Sequence, residues 1–285
     1  MSDPAWTVGA VTAADGYPMA FRKYASPAPK GPVVACIHGI QSHAGWYEGS
    51  CRHLAESGYT TYFFDRRGSG ANSVDRGHAS SHFQLIDDLR KCLEFVREEH
   101  RGSPVVLFAN SWGGKVAAAT LADYPDHADG LIMVGPGFCP KVRPSVADQF
   151  RIAFCTLFNP RRLLPVPLSD PSLFTDVPAG IRFIEQDALG IRHASARLLF
   201  SSRLLDFRLR RVVKRIVHPT LLVLATEDRI IDNAKTREYM KRFASKDLEI
   251  VEFSGGHTLE FEPDPKPYFN TLSRWVAERF SDCGG

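Results

Sequence analysis

Residues Pro104 to Ala122 constrain the fold more than any other stretch of the chain. An unbroken apolar run, Pro104 to Ala109, stops at Asn110-Ser111-Trp112-Gly113-Gly114 and gives way to the Ala-rich, helix-favouring segment Lys115 to Ala122. A strand that turns sharply into a helix pushes the corner side chain out over the sheet edge, with the helix N-terminus behind it. The two glycines let neighbouring backbone come close. A strand that is apolar at consecutive positions is buried on both faces, as strands of covered parallel sheets are.

The same alternation recurs along the chain. The stretch Trp6 to Tyr24, broken at Asp15-Gly16, reads as a β-hairpin. Strands are expected at Val33–Ile37, Tyr59–Phe64, Gly130–Val134, Thr220–Ala225 and Leu248–Phe253. Helices are expected at Trp46–Ser57 (closed by Gly58), Phe83–His100, Ala234–Phe243 and Lys266–Phe280. The pattern predicts an α/β chain with a mostly parallel central sheet and helices on both faces. Residues 139–215 break the rhythm. Prolines cluster there between Pro160 and Pro178, and eight of the 19 phenylalanines lie between Phe138 and Phe207. This segment reads as a helical cap insertion over the C-terminal sheet edge, where open α/β sheets bind ligands. The core domain is then 1–138 with 216–285, and the cap is 139–215.

Composition narrows the function. A hydrophobic share of 44% and a charged share of 24% are those of an ordinary soluble globular protein. A net charge of +3 is too small to argue for nucleic acid, and none is expected as a partner. No apolar run reaches the roughly 18 residues a membrane helix needs, and Met1 to Trp6 lacks the pattern of a signal peptide. Cys36, Cys51, Cys92, Cys139, Cys155 and Cys283 form no C-x-x-C pair and have no histidines at zinc spacing. They read as reduced thiols of a cytoplasmic protein, with no metal site.

A serine at such a corner is a candidate nucleophile, which needs a base and an acid to orient it; in a fold built on this strand-to-helix corner they are expected in the order Ser, Asp/Glu, His. Downstream of Ser111, His257 follows a strand in the flexible Ser254-Gly255-Gly256-His257 loop and is the only histidine after position 218. Asp228, just past the strand ending at Ala225, is the favoured acid, in a short turn with Arg229 and Asp232. Glu227 and Asp232 are its rivals, although Asp232 also suits a helix N-cap. An oxyanion hole needs two preorganised backbone N–H donors, expected at Trp112 and Ile40. His38, Gly39, Asn110 and Phe138 are candidate substrate contacts, His38 with an orienting hydrogen-bond role. Asp65-Arg66-Arg67-Gly68-Ser69-Gly70 follows a strand but lacks phosphate-binding spacing, and reads as a hydrogen-bonded turn.

Together, His38-Gly-Ile-Gln-Ser-His43, Asp65-Arg-Arg-Gly-Ser-Gly70, Asp75-Arg-Gly-His78 leading to Asp87-Asp88-Leu89, Asn110-Ser-Trp-Gly-Gly114, Glu227-Asp228 and Gly256-His257 resemble the α/β-hydrolase superfamily. Within it they resemble the monoacylglycerol lipase and lysophospholipase branch. The resemblance implies the α/β-hydrolase fold, a triad of Ser111, Asp228 and His257, oxyanion donors at Ile40 and Trp112, and no cofactor. It implies a small-molecule ester substrate, with the Phe-rich cap pointing to an apolar acyl group. Thioester, amide, peptide and carbon–carbon bond cleavage use the same triad, and a non-catalytic binding protein is the rival from another class. Members of the branch usually carry His before the nucleophile and Gly two before it; Asn110 and Ala109 stand here. Asn110 is expected to face away from the nucleophile's side of the turn. The basic stretch Arg203 to Arg215 reads as a solvated helix face, the alternative being peripheral contact of the cap with a lipid surface.

Overall fold

The computed structural model of the chain describes residues 6–281. The expectation of no signal peptide, apart from Trp6, and that for Cys283 lie outside the described residues. Ten strands and eight α-helices are described. An N-terminal hairpin, β1 (Thr7–Thr12) and β2 (Pro18–Tyr24), is followed by β3 (Val33–Ile37), α1 (Glu48–Glu56), β4 (Thr61–Phe64), α2 (His82–Glu99), β5 (Val105–Asn110), α3 (Gly113–Asp123) and β6 (Gly130–Val134). Then come α4 (Val146–Phe158), β7 (Leu163–Pro165), α5 (Pro178–Gln186), β8 (His193–Ser195) and α6 (Ala196–Val212). The chain ends with β9 (Thr220–Ala225), α7 (Asn233–Met240), β10 (Leu248–Phe253) and α8 (Lys266–Phe280).

Eight strands form one sheet in the order β1-β2-β4-β3-β5-β6-β9-β10. Only the β1–β2 and β2–β4 pairings are antiparallel. Every residue of β3, β5, β6 and β9 is buried. Their side chains alternate between two cores. Val105, Leu107 and Ala109 face the layer with α2 and α3, whereas Val106 and Phe108 face the layer with α1 and α8. Each fully buried Leu or Phe contributes roughly 1.5–3 kcal/mol. Because strand polarity is shared, the C-terminal ends of β3, β5, β9 and β10 open onto one edge.

Some boundaries differ from expectation. The helix expected from Trp46 is a 3-10 turn at Ala44–Trp46 followed by α1, because the Asp65 carboxylate takes the Ala44 N–H at 2.8 Å. The strand expected from Tyr59 begins at Thr61, where the ladder with Val34 starts. The α7 helix stops at Met240 rather than Phe243. Residues 139–215 hold three helices, α4, α5 and α6, and also a small antiparallel ribbon, β7 with β8. That ribbon was not foreseen, since three residues are too few for any alternation to register. Among the described residues no helix is long and apolar enough to cross a membrane.

Candidate active site

Ser111 stands between β5 and α3 with φ +52°, left-handed backbone that non-glycine residues rarely adopt. The corner is held by its neighbours: its N–H donates to the Val134 carbonyl at 2.8 Å, and its carbonyl accepts from Gly137 at 2.9 Å. A Cβ on Gly113 would lie 2.5 Å from the His38 carbonyl oxygen, so only glycine lets α3 begin this close to the end of β3.

His257, buried in the loop after β10, has Nε2 2.8 Å from Ser111 Oγ and Nδ1 2.7 Å from Asp228 Oδ2. An ionised carboxylate only accepts, so Nδ1 carries the proton and Nε2 is left to accept from the serine hydroxyl. The other Asp228 oxygen accepts from the Ile230 and Ile231 amides, both at 2.8 Å. Burial pushes the Asp228 pKa up, but the electrostatic attraction and hydrogen bond of His257, with these amides, outweigh burial and hold it below the ordinary carboxylate value.

Neither rival reaches the imidazole. Glu227 is exposed and meets the Thr226 and Ser254 hydroxyls. Asp232 caps α7 through the Lys235 amide at 3.0 Å. Arg229 does not pair with Asp228 or Asp232. It forks onto Asp176 at 2.7 and 2.8 Å and donates to the Ser172 carbonyl.

Ile40 and Trp112 lie beside the serine on the β3 and β5 loops. Among the described residues neither amide donates a hydrogen bond within the protein. An added Cβ on Gly39 would sit 3.2 Å from Ser111 Cβ, so the first loop runs against the nucleophile. His38 is fully buried, its Nε2 accepting from the Arg66 amide at 2.9 Å and its Nδ1 donating to the Gly39 carbonyl at 2.8 Å. Burial, then the Arg66 charge, holds its pKa well below the ordinary value. A neutral imidazole with both nitrogens engaged orients the loop, and it has no surface to offer a substrate. Phe138 stacks on Tyr239 with centroids 4.6 Å apart.

Asn110 is the last residue of β5, next to the nucleophile. With Ser111, His257, Tyr47, Glu260 and Tyr268 it lines a cavity of about 10 Å³, room for about one water. Its Nδ2 is buried without a partner among the described residues, as is Oε1 of Glu260. Glu260 is part-exposed as a residue but its carboxyl is buried, and burial pushes its pKa up to about 8 from 4.5. A carboxyl with a raised folded pKa stabilises most below its unfolded value, and that stability is lost as pH rises toward the folded one. Thermal midpoints should therefore fall between pH 4.5 and about 8, and Glu260→Gln should flatten that slope. Parallel curves for the two chains would rule this out.

Residues 139–215 touch the site at several points. The Phe174 carbonyl accepts from Thr258 at 2.9 Å, and the Phe174 ring meets His257 edge-on at 6.0 Å. Asp187 accepts from His43 Nε2 at 3.0 Å and from the Trp46 indole at 2.8 Å. Ile191 donates to the Gln41 carbonyl at 2.9 Å, and the Trp112 indole to Ser202 at 2.8 Å. Sequence reasoning missed Glu260, His43 with Asp187, and the contacts of Arg66. Only Glu260, three residues past His257, carried a visible cue.

The profile of the serine aminopeptidase S33 family, Hydrolase_4, matches residues 27–264. The chain belongs to this family. It lies in the monoacylglycerol-lipase-like branch of the α/β hydrolases. Human monoglyceride lipase is 24% identical over 280 residues, 95% of this chain and 90% of its own length. The monoacylglycerol lipase of Mycolicibacterium smegmatis is 23% identical over 251 residues, 87% of this chain and 88% of its own. Among solved structures, the monoacylglycerol lipase of Paleococcus ferrophilus gives a TM-score of 0.80 at 25% identity, covering 91% of this chain and 98% of its own. A soluble variant of the Saccharomyces cerevisiae monoglyceride lipase, with a substrate analog, gives 0.82 at 18% identity over 98% and 97%, a likeness of fold.

Proposed function

We propose that the chain hydrolyses carboxylic esters of lipid character through a Ser111–His257–Asp228 triad and an acyl-enzyme. The reading is carried by the unbroken line of 2.8 and 2.7 Å from Ser111 through His257 to Asp228. His257 Nε2 takes the Ser111 proton as Oγ attacks the ester carbonyl, and Asp228 stabilises the imidazolium. The free amides of Ile40 and Trp112 receive the developing oxyanion, each contributing on the order of 3 kcal/mol. His257 returns its proton to the leaving alcohol, and a water activated by the same imidazole then releases the acid.

Residues 139–215 serve as the cap over this edge, with 1–138 and 216–285 as the core. The cap also carries the surface that meets lipid. On α4, Val146, Phe150, Phe154, Leu157 and Phe158 are spaced along one helix face and stand 63–79% exposed, an apolar stripe that water alone does not favour. Exposed Arg143, Arg151 and Arg161 lie on and around this helix. The basic stretch Arg203 to Arg215 is a weaker candidate. Arg208 pairs with Asp123, and Arg203 and Arg210 lie over the Phe207 ring at 4.7 and 5.3 Å. Phe150→Glu with Leu157→Glu should lower turnover of monoacylglycerol in anionic vesicles at least tenfold, since each buried apolar side chain is worth roughly 1.5–3 kcal/mol. Hydrolysis of a short soluble ester should not change. Equal losses on both substrates would reject the surface role.

Membership of the serine aminopeptidase S33 family raises a second reading, release of an amino-terminal residue. A panel separates the two: p-nitrophenyl esters of increasing length, monoacylglycerols and lysophospholipids beside aminoacyl p-nitroanilides. Ester hydrolysis that strengthens with acyl length is expected. Anilide cleavage with the esters inert would replace the proposal.

A further inference from the structure

The turn Asp65 to Gly70 follows β4 and reads from sequence as structural. Its Asp65 fits that reading: one carboxylate oxygen takes the Ala44 N–H at 2.8 Å and the other takes the Ala71 N–H at 2.9 Å. Arg66 does something else. The residue is 4% exposed, and its side chain runs beneath the loop that follows β3. Nη2 donates to the Gly39 carbonyl at 2.8 Å and to the Ile40 carbonyl at 2.8 Å, and Nε donates to Gly39 at 3.2 Å. The guanidinium also lies 4.8 Å over the Trp112 ring.

The Gly39 carbonyl and the Ile40 N–H belong to one peptide group. With the ring of His38 donating at 2.8 Å as well, that carbonyl receives three donors, two of them from a cation. Donors on a carbonyl draw electron density from its amide and strengthen the N–H on the other side as a donor. The fork also holds two consecutive peptides at once, which fixes the direction in which the Ile40 N–H points.

Among the described residues no carboxylate lies within 4.0 Å of the Arg66 nitrogens, and Nη1 is buried without a partner. Asp65 supports the charge from nearby without an ion pair, and the guanidinium's donors are directed at the loop carbonyls. Burial lowers its pKa to about 10, which leaves it charged at neutral pH.

We propose that Arg66 is a positioning residue for the reaction, a buried guanidinium that polarises and orients the Gly39–Ile40 peptide so that its N–H meets the oxyanion. The inference rests on the acyl-transfer reading above, in which Ile40 supplies one oxyanion donor. A side chain that merely fills space would affect stability and leave transition-state binding alone.

The test uses the full chain with Arg66→Met and Arg66→Lys, beside the unaltered protein and Ser111→Ala. The substrate is a p-nitrophenyl ester. The probe for the oxyanion is a trifluoromethyl ketone of the same acyl length, which adds to the serine to give a tetrahedral anion. Arg66→Met should lower kcat on the order of 10- to 100-fold, less than or equal to the loss of a direct oxyanion donor, with KM within about twofold. Affinity for the ketone should fall by the same factor as kcat/KM, and Arg66→Lys should lie between. Should Arg66→Met fail to fold, as judged by near-ultraviolet dichroism, Arg66→Lys carries the same comparison. Unchanged kcat in a folded variant overturns the inference, as does a raised KM alone or ketone affinity that stays put while kcat falls. If the unaltered chain shows no Ser111-dependent ester turnover, the acyl-transfer reading fails and takes this inference with it. Failure of Arg66 alone leaves Ser111-dependent turnover intact, so the two outcomes are distinct.

Discussion

Replacing Ser111 with alanine is expected to reduce p-nitrophenyl ester hydrolysis by on the order of 10⁶-fold, the scale seen when a serine nucleophile is removed. The change deletes one oxygen, whose hydrogen bond runs to His257 at 2.8 Å. Losing one such bond costs about 1 kcal/mol. The strained corner is held by backbone bonds to Val134 and Gly137, which alanine keeps. The thermal midpoint should therefore move by only a few degrees while activity and labelling by a fluorophosphonate probe disappear. Turnover that survives at a hundredth of the original rate or more would remove Ser111 from the nucleophile's role.

Asp228→Asn is expected to lower kcat by about 10⁴-fold at neutral pH with KM little changed. An amide cannot favour the imidazole tautomer that leaves Nε2 free to accept from Ser111, so the base is present in the wrong form. A second effect follows from charge. The Asp228 carboxyl lies below its ordinary value of 3.8 in the folded chain. A depressed carboxylate stabilises the fold above its unfolded pKa and loses that contribution as pH falls through the folded one. The asparagine chain should accordingly be less stable at pH 7, and the difference should shrink below pH 3.8. Denaturant unfolding at pH 7 and pH 3 checks the sign. Retention of more than a tenth of kcat would move the acid's role to Glu227 or Asp232.

Much of this arrangement was legible in the chain itself. β6, β9 and α8 end where their apolar periods end, because each is bounded by turn residues and is covered on both faces or packed against one core, and the edge strand β10 keeps its expected bounds through its ladder with β9. The order of Ser111, Asp228 and His257 along the chain pointed to residues that the fold brings within hydrogen-bond reach. What stayed hidden is decided by tertiary contact. Nothing local marks Leu163–Pro165 and His193–Ser195 as partners, since their pairing depends on the chain returning after α5. Arg66 and Arg67 look alike in sequence. Arg67 forks onto Asp88 at 2.8 and 2.9 Å, while Arg66 runs under the loop after β3. The cavity that Asn110 lines with Ser111 and Glu260 was likewise hidden, since its walls come from segments far apart in the chain.

The segment around Phe174 to Asp176 is fastened to both loops that carry the acid and the base, through Thr258 and through Arg229. By contrast, α4 rests on α6 through a small cluster around Ile152, Cys155 and Leu164. Opening by displacement of α4 would leave the clamped portion undisturbed. The contacts that hold the acid and base loops therefore do not depend on where α4 sits. On the proposal that α4 meets lipid, changes to its exposed face are expected to leave the rate at the serine unchanged.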